Sequence, residues 1–335
     1  MARYDRVIKN GMIIDGTRLP RYQGDIGIKN GVIANIGHID GMHADEVIDA
    51  NGLIVAPGFV DLHTHYDAQL FWDPYCTISS WHGITSVVIC NCGFGFAPVR
   101  PEERERSMLS MTRVEAIPLA SMQAGMPWDW VTFPEFLDSV DRARKAMNVL
   151  PYVPVSPLLI WVLGLEDAKA GRKPTNEEHA ELVRLMDEAM DAGACGWSAQ
   201  RMIPSGPAAV QRDYDGTAMP SDVMHDDTCR EFAKLLRRRN EGFMQMLLVS
   251  GDNKKDRAFM EDALSPVIGP DGMNGRWSAT SSWLLVQFDK SGMEEAGWTF
   301  IWKESKQLSG IGFDEGELNI GGYRLVDGEF ELKAP

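Results

Sequence analysis

Residues 56–65 read Ala56-Pro57-Gly58-Phe59-Val60-Asp61-Leu62-His63-Thr64-His65, an apolar lead ending in two histidines one residue apart. The apolar run begins at Gly52 and predicts a β-strand over Phe59–His65. In a strand, residues i and i+2 point to the same side. His63 and His65 are therefore expected to aim at one point, and two imidazoles aimed at one point suit a divalent metal. Two unrelated histidines at a strand end is the competing reading of the same spacing.

Downstream the pattern is strand, loop, helix. An aromatic loop through Phe71, Trp72, Tyr75 and Trp81 precedes Ile84–Gly93, which is β-branched and apolar like a parallel strand buried on both faces. Helices are predicted over Pro101–Val114, opened by proline and acidic residues, and over Pro134–Ala146, with Thr132 as cap. Val149–Ile160 reads as a Pro-broken strand and loop. Thr175-Asn-Glu-Glu178 is a capping box. It opens an amphipathic helix with Leu182, Leu185, Met186 and Met190 inward, ending at Gly193. Ala194–Gln200, Asp226–Arg239 and Gly242–Ser250 follow as strand, helix and buried strand. This alternation specifies the α/β class with a parallel sheet, open or closed into a barrel. About five strand–helix units are visible, and a barrel of eight takes ~250 residues. Residues 58–315 hold eight units only if the last three are short.

Upstream, residues 1–57 read as short strands around Asn10-Gly11, Asn30-Gly31 and Asn51-Gly52. Asn-Gly between β-rich runs is a strong hairpin signal, so a small antiparallel sheet module is expected. Residues 316–335, with an Asp327-Gly328 turn, are β-like again and are expected to return to that module.

Composition narrows the function. The net charge of −15 argues against nucleic acid and anionic membranes as partners, because both need a basic surface. The five cysteines, at 76, 90, 92, 195 and 229, are odd in number and scattered. They form no disulfide framework and point to a reducing, cytoplasmic setting. The amino terminus lacks the apolar core of a signal peptide, and no apolar run is long enough to span a membrane.

Cys92 falls at the carboxyl end of the second buried strand, where parallel α/β folds gather their sites. A thiolate there could join His63 and His65 on a metal; a small buried hydrophobe is the alternative. Cys90 reads as core. His82 reads as a loop residue, His179 as solvated on the capping-box helix, and His225 as a helix entrance; His38 and His43 belong to the sheet module. Arg201, after a strand end, could hold a substrate carboxylate through a forked hydrogen bond, or pair with one of the many acids. Asp213-Tyr-Asp-Gly216 reads as an acidic turn. Phe71, Trp72, Phe94 and Phe96 either line an apolar pocket or pack. The chain has no glycine-rich phosphate loop, nucleophile elbow or Cys-x-x-Cys knuckle.

Pro57–His65, preceded by the Asn-Gly module, resembles the amidohydrolase superfamily. Trp81-His-Gly-Ile-Thr-Ser-Val-Val-Ile-Cys-Asn-Cys-Gly-Phe-Gly-Phe-Ala-Pro98, Gly125-Met-Pro-Trp-Asp-Trp130 and Gly196-Trp-Ser-Ala-Gln-Arg201 resemble, more narrowly, the N-acyl-D-amino-acid deacylases (D-aminoacylases). The resemblance covers residues 1 to about 260. It implies a (β/α) TIM-type barrel flanked by a β-sandwich. It also implies hydrolysis of a linear amide, in a small N-acyl-D-amino-acid-like substrate, by a metal-bound hydroxide. By the same resemblance His63, His65 and Cys92 are metal ligands, the cysteine standing where many relatives bridge metals with a carboxylated lysine. Zinc, as one or two ions, is the implied cofactor.

The chain also departs from that family. Relatives supply two further histidines and a catalytic aspartate from later strands, whereas this sequence has no histidine after His225. Three expectations follow: an active amidohydrolase, an incomplete subunit whose barrel a partner chain completes, or a metal-free structural or regulatory relative. Homo-oligomerisation is open.

Overall fold

The computed structural model describes residues 4–17, 19–39, 44–202, 212–239 and 241–249, and four strands within 311–332. The chain divides into two compact units, Met1–Phe59 and Val60–Pro335.

The first unit is built on β1 (Tyr4–Ile13), β2 (Tyr22–Lys29), β3 (Val32–Gly37), β4 (Ala44–Asp49) and β5 (Ile54–Val55). The order is β3-β2-β1-β4, with β5 also on β1. β1–β2 and β2–β3 are antiparallel, but β4 and β5 run parallel to β1. The expected all-antiparallel module is therefore a mixed sheet, and only one of its three Asn-Gly pairs makes a hairpin. At Asn30-Gly31 both residues have positive φ, 52° and 74°, as a two-residue hairpin turn requires. Asn10-Gly11 instead lies inside β1 at a register shift, a bulge. Glycine is needed there because a Cβ on Gly11 would stand 2.5 Å from Val55 Cγ2. Asn51-Gly52 turns the chain between two strands that both pair with β1.

Asp25 ties this unit together. It is buried, pairs with Lys9 Nζ at 2.7 Å, and accepts from the N–H groups of Asn10 at 2.8 Å and Ile39 at 2.9 Å.

The second unit opens with β6 (Phe59–Asp61), the short helix α1 (Thr77–Trp81) and β7 (Ile84–Ile89). Then come α2 (Arg104–Glu115), α3 (Leu119–Gly125) and α4 (Phe133–Arg142), the last with a capping box between Thr132 and Glu135. β8 (Asn148–Pro151) and β9 (Val153–Pro154) are separated by Tyr152 alone. One extended segment thus pairs first with β7 and then, past Tyr152, with β10. Val155–Leu163 is a helix, α5, not the expected strand and loop. Pro154 is its cap and Pro157 lies in its first turn, where the missing N–H has no helical partner to lose. α6 (Leu165–Lys169) and α7 (Asn176–Asp191) follow. α7 carries the Thr175/Glu178 capping box and buries Leu182, Met186 and Met190. β10 (Gly196–Met202), α8 (Asp226–Arg239) and β11 (Phe243–Val249) complete the series. β7–β8, β9–β10 and β10–β11 are parallel. The unit is thus mixed α/β, with four parallel segments counting β8 and β9 as one, and β6 beside β7.

The core between strands and helices contains Val87, Ile89, Leu158, Leu182, Met186, Trp197 and Phe232. Phe71 stacks on Trp130 at 5.4 Å, and Phe96 is fully buried with its carbonyl accepting from Trp130 Nε1 at 2.8 Å; both pack. β12 (Ile311–Asp314), β13 (Glu317–Ile320), β14 (Tyr323–Val326) and β15 (Glu329–Leu332) form an antiparallel meander in that order, each paired with its neighbours. The stretch in which the last three barrel units would have to be short, between residue 250 and residue 310, and the Asp327-Gly328 turn lie outside the described residues. No helix among the described residues is long and apolar enough to cross a membrane.

The Asp25 cluster predicts a pH-dependent stability. Burial alone would raise its carboxyl pKa, but Lys9 and the N–H groups of Ile39 and Asn10 outweigh it and hold the value at about 2. A carboxylate depressed on folding stabilises above its unfolded value and loses that contribution as pH falls through the folded one. Asp25→Asn should cost about 2 kcal/mol in urea unfolding at pH 7, and the gap to wild type should close between about pH 4 and pH 2.

Candidate metal centre

The His-Thr-His segment is positioned by its middle residue. β6 ends at Asp61, so the strand does not run through His65 as expected. The Thr64 N–H donates to the Val88 carbonyl at 3.1 Å and the Thr64 hydroxyl to the same oxygen at 2.7 Å. Asp61 Oδ1 accepts from the His63 N–H at 3.1 Å. With Thr64 pinned inward against β7, His63 and His65 are neighbours, their ring centroids 5.4 Å apart. The two rings converge as predicted, by a side-chain clamp instead of a strand pleat.

Cys92 arrives on a turn with unusual backbone. Cys90 and Cys92 have φ of 62° and 58°, a region that costs a non-glycine residue of order 1 kcal/mol or more. Hydrogen bonds from several segments hold the turn, among them one from the Ser198 hydroxyl to the Cys90 carbonyl. Asn91 Nδ2 donates to the carbonyls of Thr64 at 3.1 Å and Val88 at 2.9 Å. The Cys92 N–H donates to Gln245 Oε1 at 2.8 Å, and the Gly93 N–H to Ser198 Oγ at 2.9 Å. Gly93, at φ 78°, could carry a Cβ only 3.1 Å from the Ala199 Cα. Cys92 Sγ ends 3.2 Å from His63 Nε2. Donor atoms of His63, His65 and Cys92 all lie within 4.8 Å of one another, the one such group among the described residues.

Two further acids stand beside these donors. Glu115, at the end of α2, places Oε1 3.4 Å from His65 Nε2. Asp67 is fully buried, and only Cys90, through its thiol and N–H, approaches its carboxylate. The neighbouring thiol and N–H of Cys90 only partly offset its burial, which raises its pKa to about 6. Burial and then Asp67 push Glu115 to about 7. Burial lowers the His63 pKa, and burial with His63 takes His65 down to about 3, so both rings are neutral, as ligation requires. Burial, then Glu115, Asp67 and Asp222, push the Cys92 thiol up. A bound cation reverses that preference and favours thiolate.

These residues fit a metal. His65 Nδ1 is buried without a hydrogen-bond partner, and an N, N, S donor set is one that zinc takes readily while keeping a position open.

The other candidates lie elsewhere. His82 and His38 are exposed. His179 is not solvated; it is partly buried, its Nε2 3.0 Å from Thr228 Oγ1, because α7 packs on α8. His225 Nδ1 faces Asp227 Oδ2 at 3.5 Å, and His43 lies outside the described residues. Arg201, on β10, pairs with Asp226 Oδ1 at 2.9 Å. Asp213 is more than an acidic turn: fully buried, it pairs with Arg106 and Lys169 and accepts from Ser110.

Sequence reading missed Asp67, Glu115 and Gln245, and two of them left a signal. Gln245 is a polar residue in an otherwise apolar strand. Glu115 is an acid in the last turn of a helix, where the macrodipole disfavours it.

The amidohydrolase family pattern matches residues 46–152. An uncharacterised protein of Mycobacterium tuberculosis is 35% identical over 244 residues, 70% of this chain and 38% of that protein. An N-acyl-D-aspartate deacylase of Alcaligenes xylosoxydans is 34% identical over 221 residues, 65% of this chain and 41% of its own. The structure of an N-acyl-D-glutamate deacylase of Bordetella bronchiseptica, complexed with zinc and a phosphonate inhibitor, superposes with a TM-score of 0.61 at 26% identity. That match covers 79% of this chain and 49% of the other. The chain thus spans about two fifths of the length of the curated relatives it matches.

Gln245→Ala leaves the buried Cys92 N–H without an acceptor. It should destabilise the protein by about 1–3 kcal/mol, read as a lowered urea midpoint with an unchanged slope.

Proposed function

We propose that the chain is a D-aminoacylase-like amidohydrolase, belonging to a metal-dependent hydrolase of linear amides with N-acyl-D-amino acids as the substrate class. The convergence of His63, His65 and Cys92 within 4.8 Å carries this reading. In it the parallel segments β6 to β11 are the first units of a (β/α) TIM-type barrel, and the N-terminal sheet is part of a β-sandwich module.

His63 and His65 would hold zinc through neutral ring nitrogens, and Cys92 would supply a thiolate. The ion, when bound, polarises a carbonyl and acidifies water. The chain's own residues set the geometry. Thr64 and Asn91 fix both ligand segments to β7, and Gln245 fixes the Cys92 backbone from β11. Phe94, with its ring centroid 6.0 Å from that of His65, walls the centre with apolar surface. Arg201 is the proposed holder of the substrate carboxylate, in competition with Asp226. The five free cysteines support a reducing, cytoplasmic setting.

A second reading is that the chain is an incomplete subunit whose barrel a partner chain completes. The span of about two fifths of the relatives favours it. A metal-free relative is the third.

Metal analysis and hydrolysis assays on the full chain, alone and with any co-purifying protein, separate the three. The first reading expects about one or two zinc ions per chain and turnover of N-acyl-D-amino acids. Turnover only with a second protein favours the second, and absence of zinc from every preparation sinks the first. His63→Ala should abolish stoichiometric zinc and lower kcat/KM by at least about 100-fold. Arg201→Met should raise KM more than it lowers kcat if the guanidinium binds substrate; a loss of stability with KM unchanged would leave it a structural partner of Asp226.

A further inference from the structure

Glu115 and Asp67 are two buried acids for which the hydrolytic reading has no assigned use. Glu115 Oε1 is buried, in contact with His65 Nε2, and closes no hydrogen bond. Asp67, two residues beyond His65, is fully buried, with only the thiol and N–H of Cys90 beside its carboxylate. Among the described residues no lysine or arginine pairs with either. A buried carboxylate with no basic partner is strongly disfavoured.

The chain treats another buried carboxylate differently. Asp213 is as buried as Asp67, yet Arg106, Lys169 and Ser110 all reach it. Position does not explain Glu115 either, because a helix C-terminus is unfavourable for an anion. What the Asp67–Glu115–Cys92 group lacks is positive charge, and His63 and His65 offer lone pairs on the same spot.

We propose that Glu115 is a positioning residue of this centre: its carboxylate holds the His65 ring and, with Asp67, supplies the negative charge that lets His63, His65 and Cys92 take a divalent cation. The inference rests on those three residues forming a metal centre. A carboxylate behind a ligating imidazole orients the ring and strengthens it as a donor. Neither acid belongs to the three-donor group itself, so both act through charge and placement.

The test is the zinc affinity of the full chain, by competition with a chromophoric chelator, for wild type, Glu115→Gln and Glu115→Ala. Both variants should bind zinc about 10–100-fold more weakly, Ala more so than Gln, which keeps an acceptor for the ring. Urea unfolding of the metal-free proteins is the second readout. Removing an uncompensated charge should leave the midpoint unchanged or raise it, whereas a merely structural Glu115 would lower it. If the Ala variant fails to fold, the near-isosteric Gln variant decides. Wild-type zinc binding with unchanged affinity in Glu115→Gln overturns this inference alone. No zinc binding by wild type overturns the metal-centre reading and this inference with it.

Discussion

Three donors converge on one carbonyl oxygen, that of Val88: the Thr64 N–H, the Thr64 hydroxyl and the Asn91 side-chain amide. A carbonyl has two lone pairs, so this acceptor is saturated, and it sits near the end of β7. Thr64 lies between the two histidines, and Asn91 adjoins Cys92. The same oxygen therefore brings segments 63–65 and 91–93 to one place. Asn91 reinforces the link by donating to the Thr64 carbonyl as well. The strained turn at Cys90–Cys92 persists because these bonds, with Gln245 and Ser198 from two more strands, over-determine it.

Charge is the second constraint. The centre gathers two carboxylates and a thiol among neutral imidazoles. Without a cation, burial drives all of them toward their uncharged forms. The buried Asp213, by contrast, has its own basic partners. One unit thus contains a satisfied buried acid and an unsatisfied acid pair. The unsatisfied pair adjoins the three groups with the best geometry for a metal.

Local sequence rules were legible wherever local physics decides. The Thr175/Glu178 capping box and the bounds of α8 needed only hydrogen bonds within a few residues. Asn30-Gly31 needed only a turn with two positive φ angles. The same dipeptide misled at residues 10–11 and 51–52, where distant pairing of β4 and β5 with β1 set the direction of the chain. Val155–Leu163 misled for a related reason. Pro154 and Pro157 suggested a broken strand, yet both sit where a helix start tolerates them. Glu115 left a faint mark and Asp67 none, because their importance comes from what lies across the fold from them.

The sequence by itself determined the α/β alternation, the pairing of His63 with His65, and the family resemblance, because periodicity, caps and short motifs are carried by neighbouring residues. Only the tertiary structure decided that β6 stops at Asp61 and that Thr64 does the aiming. It alone brought Gln245, 153 residues away, to hold the Cys92 backbone, and placed two acids beside the ligands. Burial and charge compensation depend on which residues from remote segments share a volume, and no spacing along the chain encodes that.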